Sequence, residues 1–144
     1  MAVLGGLAII AVVAGIFVLH GSWSGQVQDH PSCGHVVNSV NNYNAQVPGC
    51  LWRAYQAQET ATGIMVNFTV EGDPITYTVT VGPTTSDVGI QSQDRYGSRG
   101  FFAYTCGGLS QKPALADARH IYLVATGCRG PQGFVDDNGA ITIP

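Results

Sequence analysis

Apolar and polar residues alternate one by one between Ile64 and Val81, the most regular pattern in the chain. The apolar positions are Ile64, Val66, Phe68 and Val70, followed after Gly72-Asp73-Pro74 by Ile75, Tyr77, Val79 and Val81. Side chains of a β-strand point to opposite faces in turn, and β-branched and aromatic residues favour strands, so this pattern predicts a β-hairpin. We expect the apolar side chains of both strands to face the core. The residues that alternate with them, which include Met65, Asn67 and the threonines at 76, 78 and 80, should face solvent.

A helical pattern precedes the hairpin. After Pro48-Gly49, the residues Leu51, Ala54, Tyr55 and Gln58 recur on one face of a helix, with Trp52 beside them. Two strands alone are only marginally stable in water, so the apolar side of the hairpin needs a cover. The sequence predicts that this helix supplies it.

Shorter apolar segments predict the remaining elements. Strands are expected around Val88 and Ile90, at Phe101 to Cys106, at Ile121 to Cys128, and at Ile141 to Ile143. Asn138-Gly139 predicts a tight hairpin turn before the last strand, because this dipeptide readily adopts positive φ values. A short helix between Val36 and Tyr43 and one helical turn at 113–119 are also predicted. The expected fold is α+β, with an antiparallel sheet of four to six strands covered by one principal helix.

The N-terminal segment is apolar enough to direct export. Residues 2–19 include no charged or strongly polar side chain. This apolar segment is longer than the core of most signal peptides and just reaches the minimum length for crossing a bilayer. An uncleaved transmembrane helix and a cleaved signal both remain open, and either would export the rest. We therefore expect a hydrophobic leader or membrane anchor at 1–20, a polar linker at 21–32 and an extracytoplasmic domain at 33–144. Ala11, Ala14 and Gly15 lie at helical spacing and favour self-association of such a helix.

The cysteine count agrees with export. Four cysteines in an exported chain predict two disulfides, which can be connected in three ways. Cys106 and Cys128 each end a predicted strand, and if those strands are neighbours a bond between the two cysteines is natural. That pairing leaves Cys33 to bond with Cys50.

Composition excludes one class of partner. Charged residues make up only 10% of the chain, the formal net charge is −3, and the six basic residues are scattered along the sequence. Proteins that bind nucleic acid concentrate Lys and Arg on one face, so we expect no nucleic-acid binding.

Two small groups of residues are candidates for a site. Asp94, Arg95, Tyr96 and Arg99 form the densest cluster of charged and aromatic residues, on a Gly-flanked loop of the kind that often carries recognition. Such a loop must also be polar simply to remain solvated. His30 and His35 flank Cys33 and are weak candidates for metal ligands, unless that cysteine is oxidised.

No pattern in the sequence predicts catalysis. The chain offers no Ser/His/Asp or Cys/His set in a supporting context, so the sequence favours a protein that is not an enzyme. No cofactor is predicted. The threonines at 76, 78 and 80 would form a row on the exposed face of the hairpin, which is the ordinary outer side of an antiparallel strand.

Several short motifs resemble known proteins. Cys50-Leu-Trp-Arg-Ala-Tyr55, Tyr104-Thr-Cys106-Gly-Gly-Leu109, Gly127-Cys128 and the short closing strand are similar to those of small exported bacterial domains of uncharacterised function. This resemblance implies export and disulfides and carries no catalytic residues with it. An apolar N-terminal helix before a small β-rich head also resembles pilin-like subunits, although Gly5 stands where many bacterial pilins have an acidic residue.

The function expected from the sequence is a binding or surface-display module outside the cytoplasm, secreted or membrane-anchored, with an unknown ligand. The alternative is a pilin-like filament subunit whose N-terminal helix packs in the core of the fibre.

Overall fold

The computed structural model describes residues 31–39, 43–113 and 120–144. Within these ranges the chain forms β1 (Ser32–Val37), α1 (Gln46–Gln56), β2 (Ala61–Phe68), β3 (Pro74–Val81), β4 (Ser86–Ser92), β5 (Gly100–Cys106), β6 (Gly108–Pro113), β7 (Ile121–Thr126) and β8 (Ile141–Ile143). The apolar segment 2–19 with Ala11, Ala14 and Gly15, the imidazole of His30, and most of the helical turn predicted at 113–119 lie outside the described residues.

The strands form two sheets, and the α+β class is confirmed. One sheet has five strands in the order β1-β2-β3-β4-β5, and the other has three in the order β6-β7-β8. Every pair is antiparallel except β1 with β2, which is parallel, so the expectation of a wholly antiparallel sheet was wrong. Parallel neighbours need a crossover connection, and α1 lies between β1 and β2 in the chain.

Two segments differ from their predicted structure. Val36 and Val37 belong to β1 and not to a short helix, because pairing with β2 outweighs the weak helical tendency of this Asn-rich segment. The sequence pattern predicted no strand at the residues of β6, whose polar character gives no clear alternation. They pair along their whole length with β7.

Helix α1 covers the sheet as predicted, but it begins earlier. Pro48 lies in its first turn, where a missing N–H costs nothing because no intrahelical acceptor is available there. At the other end Gln58 adopts a left-handed φ of 58°, and the N–H groups of Gln58 and Glu59 donate to the carbonyls of Tyr55 and Ala54. This pair of bonds is the Schellman motif that ends helices. No helix in the described part of the chain is long and apolar enough to cross a membrane.

One core lies between the five-stranded sheet and the elements that cover it. Helix α1 contacts β1, β2 and β3, and it also contacts β6 and β7 of the smaller sheet. The smaller sheet contributes to the same core through Leu109, Leu123, Ala125, Ile141 and Ile143. The side of the large sheet that faces α1 is called the inner face below, and the opposite side is called the outer face.

The hairpin of β2 and β3 is confirmed, but the predicted orientation of β2 was wrong. Met65 is completely buried on the inner face opposite Tyr77, whereas Phe68 is 43% exposed and Val70 is 95% exposed. The reason lies at Gly63, where a Cβ atom would come within 2.6 Å of Val47 Cγ1. Helix α1 approaches the sheet so closely at this point that only a residue without a side chain fits beneath it. The row that contains Gly63, together with Ala61 and Met65, therefore faces the helix. The branched row of Ile64 and Val66 is placed on the outer face.

Two disulfides connect the layers. Cys33 bonds to Cys50, joining β1 to α1, and Cys106 bonds to Cys128, the connectivity that the sequence favoured. The strands β5 and β7 are not neighbours, the condition from which the sequence analysis derived this bond, because the chain turns at Gly107 and continues as β6, which is the partner of β7. Thr105 and Arg129 instead form an isolated antiparallel bridge.

The turn predicted at Asp136 to Gly139 is present, with a different role. The Asp136 carbonyl accepts a hydrogen bond from the N–H of Gly139, whose φ is 70°. However, β7 ends at Thr126 and β8 begins at Ile141, so the turn belongs to a longer loop. The Asp136 side chain organises that loop, because its Oδ1 accepts hydrogen bonds from the N–H groups of Asn138 and Ala140.

Candidate binding surface

The cluster at residues 94–99 contains a structural ion pair. Arg95 Nε donates to Asp73 Oδ2 at 2.9 Å, Arg95 Nη2 donates to Oδ1 at 2.7 Å, and the Arg95 backbone N–H donates to Oδ2 at 3.0 Å. The Asp73 side chain is only 10% exposed, whereas that of Arg95 is 54% exposed. Arg95 therefore holds the 93–99 loop against the turn between β2 and β3, a bidentate geometry that fixes both partners.

This ion pair gives the stability a defined pH dependence. Hydrogen bonds from the Arg95 side chain, and then from its backbone, hold the pKa of the Asp73 carboxyl below its ordinary value of 3.8. A carboxyl with a lowered pKa in the folded state stabilises the fold above its ordinary pKa, and that contribution disappears as pH falls through the folded-state pKa. We expect Asp73→Asn to lower the melting temperature at pH 7 and to lower it progressively less below about pH 4.

Melting curves of the wild type, Asp73→Asn and the control Asp137→Asn between pH 7 and pH 2.5 check this prediction. Asp137 is an exposed carboxylate on the 127–140 loop, so its substitution should leave the wild-type pH dependence in place. A deficit of Asp73→Asn that stayed the same at every pH would contradict the role assigned to the pair.

The other members of the loop cluster do not converge on one site. Asp94 is used within the loop, because its Oδ1 accepts a hydrogen bond from the Tyr96 N–H and its own N–H donates to Ser92 Oγ. Tyr96 is 79% exposed, and Arg99 Nη2 makes a long 3.4 Å hydrogen bond to the Gln93 carbonyl. Arg95 and Arg99 line a polar depression with Asp73, but half of the predicted ligand-binding set serves to shape the loop.

Of the candidate metal ligands, His30 lies outside the described residues. His35 lies exposed on β1, and Cys33 is oxidised in its bond to Cys50. In the described ranges, no three His, Cys, Asp or Glu side chains are grouped so that they could hold a metal ion.

The outer face of the five-stranded sheet is a surface that the sequence patterns did not single out. Strand register places its side chains in three rows across the sheet. The rows are Val37, Val66, Thr76, Gln91 and Phe101; His35, Ile64, Thr78, Gly89 and Ala103; and Thr62, Thr80, Asp87 and Thr105. Among these strand positions only His35 and Asp87 carry ionisable side chains. The face also exposes large apolar side chains, since Val37 is 49% exposed and Phe101 is 68% exposed, so it has the character of a contact surface.

A groove of about 430 Å³ crosses the β5 side of the outer face. It exists because Gly89 has no side chain, and the ring of Phe101 leans over the resulting gap. A Cβ built on Gly89 would lie 3.5 Å from Phe101 Cε2 and 3.7 Å from the Thr78 carbonyl oxygen, which is ordinary contact distance. Phe101 remains 68% exposed, so most of its ring is available to a ligand. We call this feature the outer-face groove.

Polar groups lie at one end of the outer-face groove. Thr80, Asp87, Thr105 and Arg129 line it there, and the Thr105 hydroxyl donates to Asp87 Oδ1 at 2.8 Å. Arg129 is fixed by its backbone, since its N–H and carbonyl form the bridge with Thr105 at 2.9 and 3.1 Å. The groove thus combines an aromatic ring, several hydroxyl groups, one carboxylate and one guanidinium.

Known proteins add no further guidance. No protein-family model, no curated protein and no solved structure matches this chain.

The error over β2 explains why the sequence did not reveal this surface. With Ile64, Val66 and Phe68 assigned to the core, the expected outer face contained Met65, Asn67 and the threonine row. The available signal was Gly63, because an isolated glycine inside a strand pattern indicates a close approach by another part of the chain. Gly89 gives the same signal in β4, where it marks the outer-face groove.

Proposed function

We propose that this chain is an exported or membrane-anchored extracytoplasmic domain that acts as a non-enzymatic binding module, and that its ligand docks in the outer-face groove. The observation that carries the proposal is the combination of an exposed Phe101 ring with a glycine-formed groove on a nearly uncharged sheet face. Ligand sites are commonly concave and largely apolar, with a few placed polar groups.

Two features support a location outside the cytoplasm. Both disulfides are of the kind that persists in oxidising compartments and is rare in the cytosol. The apolar residues 2–19 provide the signal or anchor for export in this proposal. The pilin-like alternative depends on that same segment packing in a fibre, and it stays a prediction because the segment lies outside the described residues.

The polar groups of the groove suit recognition better than chemistry. Asp87 already accepts a hydrogen bond from Thr105, and the backbone of Arg129 is held in the sheet bridge. The Asp87 carboxylate, which this bond holds in advance, loses little freedom when a ligand binds, and that favours affinity.

A variant that fills the groove tests the proposal. In Gly89→Val the new side chain occupies the gap beside Phe101, while Cβ itself meets its neighbours at ordinary contact distances. We expect the full-length wild type to retain ligands from an array of glycans and peptides, and Gly89→Val to bind the same ligands at least tenfold more weakly with an unchanged melting temperature.

Tyr96→Ala is the matched control, because Tyr96 is an exposed aromatic residue outside the outer-face groove. It should bind as the wild type does. The proposal is wrong if Gly89→Val binds every array ligand as well as the wild type, or if Tyr96→Ala is the variant that loses binding.

A further inference from the structure

We infer that the outer-face groove binds a neutral pyranose of a glycan chain, an inference that rests on the proposed function and names its ligand class. The ligand would lay one apolar face of its sugar ring on Phe101 and direct its hydroxyl groups to the polar end of the groove.

The Phe101 ring is a fixed platform for a sugar ring. Its Cε2 and Cζ atoms lie 3.5 and 3.6 Å from the position of a Gly89 Cβ, so one edge of the ring rests against the sheet while 68% of the residue stays exposed. The face of an aromatic ring is electron-rich and attracts the slightly positive C–H groups on one side of a pyranose.

The hydrogen-bonding groups of the groove match a polyhydroxylated ligand. A sugar hydroxyl both donates and accepts, so its site needs both kinds of partner. The Thr78 hydroxyl can do either, the Thr105 hydroxyl can accept while it donates to Asp87, the Asp87 carboxylate accepts, and Arg129 carries a donor side chain. The Thr80 hydroxyl shares a hydrogen bond of 2.9 Å with Thr62 Oγ1. A purely hydrocarbon ligand would leave the Thr78 hydroxyl without a partner, which is costly once water has been removed.

Charge favours a neutral ligand over an ionic one. One carboxylate and one guanidinium lie at the same end of the groove, so their charges oppose each other, and the remaining lining groups are uncharged. An anionic or cationic ligand would gain from one of these groups and be repelled by the other. The volume of about 430 Å³ is within the range of about 300–1,000 Å³ typical of small-ligand sites.

The test is an NMR titration of the ¹⁵N-labelled, disulfide-bonded full-length chain, kept soluble with a zwitterionic detergent that carries no sugar. The probes are a mixture of neutral pentasaccharides (cellopentaose, xylopentaose, mannopentaose and chitopentaose), oligogalacturonate as the anionic sugar, and a mixture of unstructured peptides. We expect at least one neutral pentasaccharide to shift the amide signals of Gly89, Phe101 and Ala103. Phe101→Ala should weaken that binding at least tenfold, and Tyr96→Ala should leave it unchanged.

The outcomes separate this inference from the proposed function. If peptides or oligogalacturonate shift the groove amides and the neutral sugars do not, the sugar inference is wrong and the binding function stands. If no probe shifts them, both are wrong. Neutral sugar binding that survives in Phe101→Ala also overturns the inference, because the ring would then not be the platform. Phe101 is exposed at the surface, so its substitution should leave the melting temperature close to the wild-type value, which is measured on the same samples.

Discussion

Replacing Met65 by Ala should lower the free energy of unfolding by about 3 kcal/mol, within the range of about 2–5 kcal/mol for large-to-small core substitutions. Met65 is completely buried between α1 and the large sheet, so its removal leaves a cavity in the core. The neighbouring substitution Val66→Ala is the matched control. Val66 is only partly buried on the outer face, and we expect its truncation to cost about 1 kcal/mol.

Chemical denaturation of the two variants beside the wild type measures both values. This pair decides which side of β2 faces the core, because the two residues are adjacent and point in opposite directions. A larger loss of stability for Val66→Ala than for Met65→Ala would show that the assignment of the inner face is wrong. The outer-face groove, which is defined by that assignment, would then be wrong as well.

Removal of the Cys106–Cys128 disulfide is the second change with a large expected effect. The two cysteines are 22 residues apart in the chain, and the loop-entropy model gives about 3 kcal/mol for a cross-link of that span. We expect the double substitution Cys106→Ala and Cys128→Ala to lower the free energy of unfolding by about that amount. Alanine is the better replacement, because Cys106 is fully buried and a serine hydroxyl there would need a partner.

The Cys33–Cys50 bond provides the comparison. It spans 17 residues, so the same model predicts a loss of about 3 kcal/mol when both of those cysteines become alanine. Denaturation of the two double variants, with and without reducing agent, measures each contribution. An unfolding midpoint of the Cys106/Cys128 variant equal to that of the oxidised wild type would contradict the prediction.

The sequence predicted elements whose signal is local. The hairpin followed from strict alternation over β2 and β3, and the helix followed from the spacing of Leu51, Ala54 and Tyr55. Alternation alone does not say which of two rows is buried when both contain large apolar residues, as Ile64 and Met65 do. The contact of Gly63 with α1 determines which row is buried, and a strand pattern cannot show that contact.

The candidate site was harder to predict from the sequence for the same reason. Polarity marked the 94–99 loop correctly as a surface segment, but the role of Arg95 is set by Asp73, 22 residues earlier. The outer-face groove is assembled from β3, β4, β5 and Arg129, and only strand register brings them together. Thr78, Gly89, Phe101 and Arg129 share no motif along the chain, so no spacing rule could have grouped them.

The parallel placement of β1 has a consequence for orientation. Ser32 pairs with Thr62, at the row that contains Thr80, Asp87 and Thr105, while Val37 ends the strand at the row of Phe101. If residues 2–19 anchor the chain in a bilayer, the tether joins the domain at the Asp87 end. The Phe101 end then lies about 14 Å farther along the strands from the point where the tether joins the domain.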